Sequence, residues 1–227
     1  PEKTRVAAEK IAGQPLVILS DEYRLLVTGT HQLGLDLKSQ QLDQLMAYLK
    51  LFDKWNHAFN LSAIREPAAM VKLHLLDSLS IAPYLEGERF IDVGTGGGLP
   101  GIPLAIRFPQ KSFTLLDSAG KKTRFLFQVK QELGLDNVVV ENRRVEHYHP
   151  DRGFDGVISR AFASLQDMVQ SCGHLLNESG RFWAMKGQVP LAELKMIEDP
   201  YTVEHCHRLE VPGMEAQRCL LVIRPGA

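Results

Sequence analysis

The chain has 227 residues, 44% hydrophobic and 23% charged, enough for one large domain whose core needs no covalent staples. With 26 Lys and Arg against 27 Asp and Glu the formal net charge is −1, which excludes a globally basic nucleic-acid binder but leaves room for one local cationic cleft. The 3 cysteines form no Cys-x-x-Cys pair and argue against a disulfide framework or a metal site, and no window is apolar over the roughly 18 residues a membrane helix needs, so the expectation is a cytoplasmic protein with no metal and no membrane partner.

Residues 1–20 hold no long apolar stretch before a small-residue cleavage site, so no secretory signal is expected and they are set aside as a tail or extension. From Asp21 the reading is helical: Leu25, Leu26 and Leu33 share a face, and Gly34 is placed to stop the helix. Ser39 is placed to cap a longer helix in which Leu42, Leu45, Leu49 and Phe52 recur at helical spacing. A polar break over 56–65 follows, and Pro67 suits the first turn of a third helix running to Pro83. Met46 and Met70 read as core filler, and Trp55, Phe59 and Trp183 as packing.

Near Arg89 the pattern changes. β-rich runs at 89–93, 112–116, 137–140, 154–159 and 181–186 alternate with helical windows at 99–107, 121–133, 165–176 and 190–197. Strands that read as unbroken apolar runs between helices predict an α/β fold with a doubly wound, mostly parallel sheet. The last two runs, 201–211 and 217–223, have only Pro212 and Gly213 to join them and predict a terminal hairpin that puts one antiparallel strand in the sheet. The expected division is a helical segment at 21–84 and a sheet domain at 85–227, packed as one compact unit.

The segment Phe90–Phe108, FIDVGTGGGLPGIPLAIRF, carries the most chemistry. A strand ending at Asp92 and Val93 runs into Gly94, Gly96, Gly97 and Gly98, which predicts a tight turn at the carboxyl end of the sheet, where open α/β folds bind ligands. The dinucleotide fingerprint fails because its sixth position is Leu99, and no Gly-Lys-Ser/Thr of a Walker loop occurs. What remains, an acid on the strand followed by GxGxG, resembles the first motif of the S-adenosylmethionine-dependent methyltransferases. Asp92 suits a cationic sulfonium better than a pyrophosphate. Asp117 ends the second strand, at the spacing expected of an acid that binds ribose hydroxyls, and equally of a helix cap. Val145 and Glu146 follow the third strand, where adenine contacts are common in this class.

LFDKWNHAFNLSAI, HLLDSLSIAPYL, FIDVGTGGGLPGIPLA, FTLLDSAGKKTRFL, FDGVISRAFASL and FWAMKGQ together resemble the ribosomal RNA small-subunit methyltransferase G family, also called glucose-inhibited division protein B, from Leu51 to Ile223. The resemblance implies a class I, Rossmann-like methyltransferase that uses S-adenosylmethionine to methylate N7 of one guanine in the decoding-region loop of bacterial 16S rRNA. Its partners are then 16S rRNA or the small ribosomal subunit, with no DNA, and the chain is expected to act as a monomer. The family's cofactor contacts fall on Gly94, Leu99, Val145, Glu146 and Arg160, to which the residue reading adds Asp92, Gly96, Gly98 and Asp117. Its cationic site falls on His74, Arg144, Arg160 and Lys186. Gly97 stands where relatives often carry proline, a change expected to loosen the turn slightly.

Guanine N7 offers an in-plane lone pair and has no proton to lose, so its methylation needs alignment and desolvation but no general base. The sequence agrees: the fourth strand ends in Ser159-Arg160 and has neither the Pro-Pro-Tyr/Phe run of exocyclic-amine enzymes nor a Pro-Cys nucleophile. Arg160 suits a bidentate hold on guanine O6 or on phosphate, or a structural ion pair with Asp155. Lys122, Arg143 and Arg144 suit RNA phosphate contacts, or a merely solvated face. His74 sits among apolar neighbours, where a hydrogen-bonded core histidine is the competing reading. The rival functions are a small-molecule methyltransferase and a nucleotide-binding regulator without catalysis.

Overall fold

A computed structural model describes residues 20–226; the expected tail at 1–19 lies outside it. Ser20 caps the first helix, α1 (Asp21–Gln32), by accepting from the Tyr23 amide at 3.2 Å. The second, α2 (Ser39–Phe59), is capped one residue before the expected Ser39: the backbone N–H of Lys38 donates to the Gln41 side chain at 3.0 Å. Gln41 Nε2 in turn donates to the carbonyls of Ile106 and Arg107, at the end of the helix Gly101–Arg107. The expected break at Asn56 does not occur. Asn56 is fully buried, and its side chain donates to the Ile64 carbonyl at 3.0 Å and accepts from the Ser62 amide at 2.8 Å, stapling the loop that follows α2.

The third helix starts as expected with Pro67 in its first turn. It runs Pro67–Met70, widens into a π-helical turn at Val71–Leu76, and closes over Asp77–Leu79. π-turns of this kind concentrate at functional sites, and this one carries His74.

Seven strands follow: β1 (Arg89–Val93), β2 (Ser112–Leu116), β3 (Val138–Glu141), β4 (Phe154–Ser159), β5 (Leu176–Lys186), β6 (Tyr201–Leu209) and β7 (Arg218–Pro225). They lie in the order β3-β2-β1-β4-β5-β7-β6, parallel through β5, with β7 antiparallel to both its neighbours. This is the doubly wound fold of the class I methyltransferases, with the terminal hairpin where the sequence put it. The strand order reverses between β1 and β4, and that switch point opens the crevice in which such sheets bind ligands.

Side chains alternate between two apolar layers. Phe90, Phe113 and Ile158 face the layer shared with α1, α2 and the third helix, while Ile91, Val93 and Val157 face the helix Leu165–Cys172. Two elements depart from the sequence pattern. β5 begins at Leu176 rather than Arg181, because a register shift opposite Phe154 and Gly156 absorbs the polar residues that hid the strand. The last helical window shrinks to Leu191–Leu194, since Leu191 and Met196 remain 69% and 65% exposed and no buried face sustains a longer helix.

Candidate functional site

β1 delivers the glycine turn to the crevice. Gly94 has φ +69°, and a Cβ there would stand 2.8 Å from the Ala161 Cβ at the end of β4, so glycine is required on both counts. Asp92 lies beneath this turn, 1% exposed. Its Oδ2 accepts from Thr95 Oγ1 at 2.7 Å and from the Gly101 amide at 2.9 Å, tying both ends of the turn together. Burial pushes its carboxyl up to about 6, against the hydrogen bonds from Thr95 and Gly101 that pull the other way. Asp92 therefore organises the loop and does not line the cavity, contrary to the contact expected for it.

The cavity beside the turn holds about 350 Å³ and is walled by Gly94, Asp117, Arg144, Val145, Glu146 and Phe162, among others. Asp117 does not cap the next helix, whose N-cap is Ala119, but ties the turn before it to the glycine turn. Oδ1 accepts from the Ala119 amide and Oδ2 from the Gly96 amide, each at 2.9 Å, and the residue still borders the cavity. Val145 and Glu146 sit on a 3-10 turn on the wall. Gly98 and Leu99 close the glycine turn onto the Thr95 carbonyl at 2.9 and 3.1 Å, and the Leu99 side chain is buried in the core, away from the cavity. Arg144 is exposed on the rim, whereas Arg143 is tethered to Glu141 at 3.3 Å and Lys122 to Asp117 at 3.5 Å.

Gly97 is not a loosened position. A Cβ on it would fall 2.3 Å from the Phe52 ring, and its carbonyl accepts from the Tyr48 hydroxyl at 2.7 Å. α2 thus packs directly on the turn; Phe52 had shown only as a helical core residue, and Tyr48 had carried no signal.

A second cavity of about 480 Å³ lies on the other side of the segment Ser159–Phe162, bordered by His74, Asp77, Arg160, Lys186, Arg218 and Cys219 among others. Ser159 Oγ donates to the Val93 carbonyl at 2.8 Å and accepts from the Ala161 amide at 3.0 Å, which fixes the turn between the two cavities. Arg160 does form an ion pair, but with Asp77, at 2.9 Å. The partner weighed for it, Asp155, instead accepts from the Glu88 and Arg89 amides and from Asn177.

Lys186 is not free to meet RNA. Its ammonium donates to the carbonyls of Phe162 and Ala163, each at 3.2 Å, and pairs with Glu193 at 3.0 Å, so it braces the wall. His74 is 4% exposed, 5.0 Å from the Phe52 ring, and neither ring nitrogen has a hydrogen-bond partner among the described residues. Burial, followed by the positive field of Arg160, lowers it to about 4, so it is neutral at pH 7. The site thus gathers His74, Arg160 and Lys186 around one cavity and Gly94, Asp117, Arg144, Val145 and Glu146 around the other. Sequence reading missed Asp77, Glu193 and Arg218; Asp77 stood in the quoted HLLDSLSIAPYL block but had no charge pattern to mark it.

A family model described as rRNA small subunit methyltransferase G matches residues 41–222. A protein of Saccharophagus degradans named ribosomal RNA small subunit methyltransferase G is 64% identical over 187 residues, covering 82% of this chain and 84% of the relative. An Escherichia coli protein of the same name is 53% identical over 191 residues, covering 84% of this chain and 92% of that one. Among solved structures, ribosomal protein L11 methylase from Lactobacillus delbrueckii subsp. bulgaricus superposes with a TM-score of 0.52 at 20% identity, over 67% of this chain and 77% of that one. At that identity the likeness carries the fold alone.

Proposed function

Because the chain belongs to the ribosomal RNA small subunit methyltransferase G family, we propose that it transfers a methyl group from S-adenosylmethionine to N7 of a guanine in the decoding-region loop of bacterial 16S rRNA. The observation that carries this reading is the pair of cavities on either side of Ser159–Phe162, one bordered by the glycine turn and the carboxylate of Asp117, the other by two arginines.

The donor's fit follows from the first cavity. Gly94 lacks the Cβ that would crowd the turn, and Asp117 borders the cavity with carboxylate lone pairs to share. The donor supplies an electrophilic methyl on a sulfonium. When guanine N7 forms its bond to that methyl, the carbon–sulfur bond breaks, the sulfur keeps the electron pair, and the positive charge passes to the purine.

No proton leaves N7, and the groups around the second cavity suit a reaction without a base. His74 is held near 4 and is a weak acceptor at pH 7. Burial pushes the Cys219 thiol up to about 11, which removes it as a nucleophile. Asp77 and Glu193 are both engaged in ion pairs. What the walls supply is a cationic recess in which Arg160 donates to the O6 edge or phosphate of the target and leaves N7 free. An unstacked base from a single-stranded rRNA loop is the substrate shape such a cavity admits.

The test is incubation with methyl-labelled S-adenosylmethionine and, in parallel, small subunits, naked 16S rRNA or a metabolite extract. Label is expected in RNA, and mass spectrometry of the digested product should give 7-methylguanosine. Label confined to small molecules, or binding with no labelled product, would falsify the reading in favour of a metabolite enzyme or a regulator.

A further inference from the structure

Two guanidiniums share one carboxylate in the second cavity. Asp77, 4% exposed, accepts from Arg160 Nη1 through Oδ2 at 2.9 Å and from Arg218 Nε through Oδ1 at 3.0 Å. The three residues come from the third helix, the end of β4 and the first position of β7. A single carboxylate balances only one of the two arginines, so the cluster keeps a net positive charge beside a cavity of about 480 Å³.

The donors are incompletely used. Arg160 Nη1 also approaches the Leu73 carbonyl at 3.5 Å and Arg218 Nη1 donates to the Gln217 carbonyl at 2.9 Å, but the Nη2 group of each makes no hydrogen bond among the described residues. Both side chains stay about a quarter exposed, 28% and 25%, on the cavity wall. One arginine would suffice to neutralise Asp77 and join the elements; the second leaves unbalanced charge and free donors facing the cavity.

We propose that Arg218 is a second substrate-binding residue, holding the backbone phosphate of the target nucleotide, and that Asp77 is a positioning residue that fixes Arg218 and Arg160 at one spacing. This rests on the RNA-methylation reading above. The division of labour follows from place. Arg160 adjoins Ala161, which borders the donor cavity, so the group beside Arg160 is the reacting base. Arg218 borders this cavity and, with Gln217, the next one along, and neither it nor its chain neighbours border the donor cavity, so the group left for it is the nucleotide's phosphate. A planar guanidinium fork matches that phosphate better than an ammonium does.

The full chain and its Arg218→Ala, Arg218→Lys and Asp77→Asn variants are compared for binding to a single-stranded RNA of the decoding-region loop across a salt series, for cofactor binding by calorimetry, and for methyl transfer. Arg218→Ala is expected to weaken RNA binding roughly 10-fold and to flatten the slope of log Kd against log salt by about 0.7. Arg218→Lys should restore the slope but not the full affinity. Asp77→Asn should keep the slope, lower kcat/KM for transfer, and in the double variant add less to the loss of RNA binding than it costs alone, because only its hold on Arg160 remains to be lost. Cofactor affinity should hold in all three. An unchanged slope in Arg218→Ala, or a parallel loss of cofactor binding, would overturn the phosphate contact. Independent, multiplying losses in the double variant would overturn the positioning role. The binding arm reads Arg218 even if the wild type methylates no RNA, an outcome that defeats the functional reading instead.

Discussion

Asp92 and His74 are both buried and titratable, and they tilt stability in opposite directions over the same pH range. Asp92 is raised from 3.8 to about 6, so the folded state holds its proton more tightly; its contribution is present below 3.8 and is lost as pH rises to about 6. His74 is lowered from 6.5 to about 4, so its contribution is present above 6.5 and is lost as pH falls toward 4. Each is worth on the order of 2 kcal/mol. Relative to wild type, Asp92→Asn should gain stability as pH rises from 4 to 6, and His74→Gln should gain it as pH falls from 6.5 to 4. Urea midpoints of the two variants across that range check both; two parallel curves would refute the assignment. The sequence marked both positions, Asp92 by its place before the glycines and His74 by its block. It could not show that Asp92 turns inward to Thr95 and Gly101, because a carboxylate that binds a ligand and one that ties a loop have the same spacing.

α2 is the element on which the glycine turn rests. Phe52 fills the space that a Gly97 side chain would need and stands 5.0 Å from His74, so one ring packs on both the glycine turn and His74. Gly97→Ala should destabilise the chain by about 1–3 kcal/mol and weaken cofactor binding. Adding Phe52→Leu should restore part of both, as read by thermal midpoint and calorimetry. Additive losses in the pair would show that the ring and the turn are not in conflict. Tyr48→Phe should cost about 1–3 kcal/mol by leaving the buried Gly97 carbonyl unpaired. The helix itself was legible from its apolar spacing, as were the bounds of β1, β2 and β4 from their unbroken apolar runs. Its contact with Gly97 was not, since periodicity gives the face a residue occupies and not what meets it. β5 was read short for a similar reason: Glu178, Ser179 and Gly180 have no strand signal, and they lie in the register shift between the Leu176–Phe154 and Arg181–Gly156 pairs.

At the scale of the whole molecule, the helices before Arg89 share one apolar layer with the sheet, including Leu26, Phe52, Leu75, Phe90 and Trp183. The expected boundary near residue 84 therefore marks a change of pattern rather than a gap between cores, and unfolding should be a single transition. The 2 tryptophans allow a direct check: Trp55 lies on α2 and Trp183 on β5. In Trp55→Phe and in Trp183→Phe, the fluorescence of the remaining tryptophan should follow far-UV circular dichroism through one common midpoint. A separate, earlier transition for Trp55 would divide the chain in two. Fold class and the antiparallel terminal hairpin were legible because alternating strands and helices admit few topologies. The substrate cavity was much less so, because its charges meet only across distant stretches of chain.

Asp77 waits on an arginine encoded near the other end of the message. Every residue bordering the donor cavity has been translated by Phe162, whereas the acceptor's cavity lacks a wall until Arg218 and Cys219 appear. On the proposed assignment, a polypeptide made from N- to C-terminus thus spells out the residues for the methyl donor first and those for RNA last. A frameshift or early stop between those points spares the first set of residues and deletes the second.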